Sequence, residues 1–136
     1  MSSACPEWAV AQESTNPPLA IRPMPQTILH SMDGFSEGLA AAESVLLFKH
    51  SPVCPVSHAA HEQWQRFQRE HPSVPTLFVD VIADRAVARG LAEQVGVPHA
   101  SPQAILFVTG EPVWHASHGD LIAPNLAAAW AAHASE

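Results

Sequence analysis

Short apolar runs and helical stripes alternate along most of the chain. Val45-Leu-Leu-Phe48 has no polar interruption, which predicts a short buried strand. Thr76-Leu-Phe-Val-Asp-Val81, rich in β-branched and aromatic residues, predicts a second. Between them Val56, Ala60, Trp64 and Phe67 recur at steps of four, four and three and form one helical stripe, which His71-Pro72 ends. Val87, Leu91 and Val95 line the inner face of the next helix, with Asp84 as its cap and Gly96 as its stop. Ala104 to Thr109 and Pro112 to Ser117 then predict two strands joined at Gly110-Glu111, a hairpin signal. Pro124 opens a last helix through Leu126 and Trp130, although Ala123 in the cap position offers no acceptor. Upstream, Gln26 to His30 suits a short strand. Asp33 offers an N-cap for a helix with Phe35, Leu39 and Ala42 on one face, weakened by Gly34 and Gly38.

The order is therefore β-α-β-α-β-α-β-β-α. Strands alternating with helices call for parallel pairing, and the terminal hairpin adds an antiparallel edge. The expected class is α/β: a central mixed sheet of four to five strands, with helices on both faces. One domain, residues 26–136, accounts for the periodic part. Residues 1–25 carry Pro6, Pro17, Pro18, Pro23 and Pro25 and no period, so they read as a flexible or irregular segment.

Composition narrows the partners. The chain has 136 residues, 47% apolar and 14% charged, with a net charge of −7, so nucleic acid and an anionic membrane are poor candidates. No stretch approaches the roughly 20 apolar residues of a membrane helix, and the start lacks the basic and apolar regions of a secretory signal. Cys5 and Cys54 are too few for a disulfide framework. A reducing, cytoplasmic location is the expectation.

Cys54 is where the chemistry concentrates. It follows the Val45–Phe48 strand and a proline-containing loop, and Pro55 comes next. Proline suits the first position of a helix, where its missing N–H would have no partner, so Cys54 falls at the N-cap. Free amides and the positive end of the helix dipole favour a thiolate there, and the thiolate is the nucleophile. Lys49, the only lysine, lies five residues upstream and can aid the thiolate, although a lysine at a strand end is ordinarily just solvated. His50 and His58 flank the loop, and His58 is the nearer, about one turn past Cys54. Either can stabilise the thiolate when protonated, or each can be an ordinary solvated histidine. Cys5 is either a resolving thiol on the N-terminal arm or incidental.

Four stretches together carry a resemblance: Phe48-Lys-His-Ser-Pro-Val-Cys-Pro-Val-Ser57, Val79-Asp-Val81, His99-Ala-Ser-Pro-Gln103 and Val113-Trp-His-Ala-Ser-His118. In this order they look like the YtxJ-type bacilliredoxins, monothiol members of the thioredoxin superfamily, over about residue 28 to the C-terminus. The resemblance implies a thioredoxin-like fold with Cys54-Pro55-Val56-Ser57 as the active motif. Ser57 then stands where a dithiol thioredoxin has its second cysteine, as a non-redox partner hydrogen-bonding the sulfur. It also implies a cis Ser101–Pro102 bond facing Cys54, with the backbone of Ser101 pairing with substrate. His50, His58 and Lys49 complete the expected substrate-binding set.

The chemistry so implied is thiol–disulfide exchange. Cys54 takes a low-molecular-weight thiol from mixed disulfides on cytosolic proteins and is cleared by a second thiol from outside. The resemblance makes that small thiol bacillithiol, a co-substrate, so that no bound cofactor is required; glutathione or coenzyme A would fit the same mechanism. Two other classes stay open. One is a non-enzymatic thioredoxin-like adaptor. The other is a monothiol carrier of metal or an iron–sulfur cluster, to which the pairs His58/His61 and His115/His118 would contribute.

Overall fold

The computed structural model describes residues 26–134. Nine elements follow in order: β1 (Gln26–Ile28), α1 (Met32–Ala40), β2 (Ser44–His50), α2 (Pro55–Glu70), β3 (Thr76–Asp80), α3 (Arg85–Val95), β4 (Gln103–Val108), β5 (Glu111–Ser117) and α4 (Ala123–His133), with a 3₁₀ turn at His118–Asp120 before the last helix. The sheet runs β1-β3-β2-β4-β5. β3 pairs parallel with both β1 and β2, whereas β4 is antiparallel to β2 and β5. This is the mixed five-stranded α/β arrangement that the alternation of strands and helices implies.

Because side chains alternate along a strand, the two faces of β2 feed two separate cores. Leu46 and Phe48 join Trp64, Phe67, Leu106 and Leu126 beneath α2 and α4. Val45 and Leu47 join Phe35, Val79, Leu91 and Phe107 beneath α1 and α3. A strand buried on both faces must read as an unbroken apolar run, which is why Val45 to Phe48 does. β2 nevertheless extends further than that run, because Lys49 and His50 are still paired with Val79 and Asp80 of β3.

Four local expectations are corrected. Ser31, and not Asp33, caps α1: its Oγ accepts the Gly34 N–H at 3.0 Å, and Asp33 lies within the first turn. Asp84 occupies the cap position of α3, but its carboxylate makes no capping bond and instead meets His30 Nδ1 at 3.1 Å. The hairpin turns at Thr109 (φ 48°) and Gly110 (φ 82°), one residue earlier than expected, with Glu111 already in β5. Val56 leaves the core stripe and stands 46% exposed; Ser57, fully buried, takes the inner position in the first turn of α2. Gly96, at φ 81°, ends α3 in the left-handed conformation that its place in the sequence predicts.

The Ser31 cap is testable. Ser31→Ala is expected to cost about 1 kcal/mol in urea unfolding, by leaving the Gly34 amide without its partner. An unchanged midpoint would show that the cap contributes nothing.

Candidate active site

Cys54 is a free, half-buried thiol at the N-cap of the sixteen-residue helix α2, with Pro55 in the first turn. Its backbone is extended (φ −107°, ψ 121°). The loop is closed by the Cys54 N–H, which donates to the Ser51 carbonyl at 3.2 Å, while the Cys54 carbonyl accepts the His58 N–H at 3.0 Å. The first amides of a helix have no partners within it, and the positive end of its dipole points toward the residue placed there.

Ser57 is turned inward and does not play the part expected of it. Its hydroxyl accepts the Ser51 N–H at 2.9 Å and meets His50 Nδ1 at 2.9 Å, where the sequence suggests a bond to the Cys54 sulfur. The residue in the second-cysteine position thus ties the loop to the end of β2. His50 is itself buried, its ring centre 4.5 Å from that of His61, in a stack with Phe48 and Phe78. Burial, then the neighbouring His61 and His58, hold His50 below the ordinary histidine range, against a smaller opposing pull from Asp80. Burial and then His58 lower His61 in the same way. Both rings are therefore neutral at pH 7, and the Ser57 O–H can donate to Nδ1 of His50.

His58 is exposed, and its Nε2 lies 2.7 Å from the Pro52 carbonyl; a carbonyl only accepts, so Nε2 carries the proton. This bond clasps His58 onto the loop that carries Cys54. Among the described residues, no three His, Cys, Asp or Glu side chains converge to hold a metal ion.

Pro102 is buried and the Ser101–Pro102 peptide bond is cis, as the resemblance implies. Next to this loop, across the β2–β4 pair, Lys49 departs from the solvated strand end that the sequence suggests. Lys49 is fully buried, not solvated, and its Nζ donates to Gln103 Oε1 at 3.1 Å across the β2–β4 pair. The Gln103 amide in turn donates to the Pro98 carbonyl at 3.1 Å, so the lysine props the loop that carries Ser101. Burial pulls the Lys49 ammonium down to about 8. No sequence signal marks this burial, since hydropathy ranks a lysine as exposed; only the pairing of β2 on both sides brings it inside.

Fold and site together define a thioredoxin-fold protein of the thiol-oxidoreductase class, with one cysteine at the helix N-terminus and a serine in the second-cysteine position. Residues 27–126 match the model of the monothiol bacilliredoxin BrxC family, and the chain belongs to that family. A thioredoxin-fold structure described as a candidate oxidoreductase is 35% identical, with a TM-score of 0.72 over 76% of this chain and 92% of its own. The thioredoxins of Malassezia sympodialis (20% identity, TM-score 0.63, 84% of this chain and 94% of that one) and Fasciola hepatica (16%, 0.65, 79% and 98%) share the fold. Among the described residues, no helix is long and apolar enough to cross a membrane.

Proposed function

We propose that the protein is a monothiol oxidoreductase that clears a small thiol from mixed disulfides on cytosolic proteins. The observation that carries this reading is Ser57: the residue that would resolve a disulfide within the loop is a buried hydroxyl engaged with Ser51 and His50. The Cys54 thiolate attacks the small-thiol sulfur of a mixed disulfide. A bond forms between that sulfur and Cys54, the original S–S bond breaks, and the target's cysteine leaves as a thiolate. A second small-thiol molecule then attacks the sulfur held on Cys54, which releases the Cys54 thiolate and carries the pair away as a symmetric disulfide. Two electrons pass from small thiol to target with no bound cofactor. Membership of the bacilliredoxin family supports bacillithiol as that thiol and the cytoplasm as the place of work. Cys5, the other conceivable resolving thiol, lies outside the described residues.

The direct test loads a target protein with bacillithiol, adds the full chain, and follows both masses by mass spectrometry. Transfer of one bacillithiol to Cys54 with release of a free target thiol is the expected outcome. A target that stays loaded, with no adduct on Cys54, would end this reading.

A further inference from the structure

Beside the cysteine loop, on the sheet face covered by α3, lies a cleft of about 280 Å³. It is lined by Ser51, whose carbonyl accepts the Cys54 N–H, by Ser101, which precedes the cis Pro102, and by Arg85, Arg89 and His99. Arg85 and Arg89 are one helical turn apart at the start of α3, so both guanidinium groups lie on the same side of the helix. Both arginines are exposed and, among the described residues, neither is in an ion pair. No Asp or Glu lines the cleft. Burial, Lys49 and then Arg89 lower the pKa of His99, which places the lysine's charge within electrostatic reach of the same spot.

The chain holds only six Lys and Arg residues against thirteen acids; two of the six, Arg85 and Arg89, line this cleft, and a third, Lys49, is buried near enough to act on His99. In a protein of net charge −7, a local excess of positive charge in a cleft lined by Ser51, which is hydrogen-bonded to the Cys54 amide, favours an anion beside the cysteine loop. Guanidinium groups pair with carboxylates through two parallel hydrogen bonds, which a neutral group cannot match.

We infer that this cleft is the subsite for the small thiol itself, and that it selects a thiol bearing carboxylates, held by Arg85 and Arg89 while its sulfur reaches Cys54. This rests on the exchange reading above. It adds the recognition that the reading lacks: the target protein contributes only its cysteine, and the anionic small thiol supplies the handle.

The test uses one peptide carrying a single cysteine, loaded in turn with mercaptosuccinate (two carboxylates), 2-mercaptoethanol (neutral) and cysteamine (cationic). Each exchange rate with the full chain is divided by the rate with free dithiothreitol, to remove intrinsic reactivity. The wild type is expected to favour mercaptosuccinate over 2-mercaptoethanol roughly tenfold, with cysteamine slowest, and to lose that preference in Arg85→Gln/Arg89→Gln. Arg66→Gln removes a similar charge from the exposed Arg66–Glu70 pair on α2 and is expected to keep the preference. Equal rates for the two loads in the wild type, or a preference that survives in the double variant, would overturn the subsite. If none of the three loads moves to Cys54, the exchange reading fails and the subsite is judged by succinate binding alone. Succinate shifting the Ser51 and Ser101 amide resonances in the wild type but not in the double variant would uphold it; no shift would overturn it.

Discussion

Cys54→Ser is expected to bring thiol transfer down to the uncatalysed background, a fall of roughly 10⁴-fold or more, because a covalent mechanism loses its intermediate along with its nucleophile. The serine hydroxyl sits in the same cap position, so the helix keeps its start, and serine is a better N-cap acceptor than the thiol it replaces. Loss of activity without loss of stability is therefore the expected pair of results. Cys5→Ser sharpens the comparison. In a monothiol mechanism it leaves the rate of the first transfer as it was, with the adduct on Cys54 persisting until a second thiol is added. An adduct that vanishes unaided from the wild type but persists in Cys5→Ser would show a resolving role for Cys5 and overturn the monothiol reading. Residual transfer in Cys54→Ser near the wild-type rate would remove Cys54 from the chemistry altogether.

Lys49 carries the second large effect, on stability and its dependence on pH. Its folded-state pKa, about 8, lies below the ordinary value of 10.5, so folding opposes the charged form. Between those values the unfolded chain binds more protons than the folded one, and stability rises with pH. The burden is fully present below about pH 8 and gone above about 10.5, a swing of about 3 kcal/mol. Lys49→Met keeps the length of the side chain and removes the charge, at the cost of the hydrogen bond to Gln103, about 1 kcal/mol. Near pH 7 the variant is expected to be the more stable by about 2 kcal/mol, and above pH 10 its advantage should disappear or reverse. Urea unfolding across that range reads the difference directly, and other titrating groups cancel between the two proteins. Parallel curves for wild type and variant would show that the buried ammonium carries no such burden.

The parts of the site that periodicity reaches were open to reading from the chain itself. A step of four and three brings Ala60, Trp64 and Phe67 inside wherever the helix sits, and Gly96 stops α3 because only a residue tolerant of positive φ suits that position. The phase of the first turn of α2 was out of reach. The hydrogen bonds of Ser57 to Ser51 and His50 set it, and they turn Val56 outward against its hydropathy. The burial of Lys49 and His50 is hidden from the sequence for a related reason. Their burial depends on β2 continuing between two neighbours, a property of the whole sheet that no local window contains. The cap of α1 shows the same limit on a small scale, since Ser31 and Asp33 are both good acceptors and only the path of the entering chain chooses between them.

The position of β2 also has a consequence for how the molecule is made. This strand is flanked by β3 and β4, both of which come later in the chain. During synthesis its apolar run emerges from the ribosome before either neighbour exists, with both edges and both faces uncovered, and the Cys54 thiol follows close behind. The β4–β5 hairpin closes locally, but it cannot shelter β2 until nearly the whole domain has appeared. The newborn chain thus passes through an interval in which its central strand is uncovered and open to aggregation and its Cys54 thiol is unprotected.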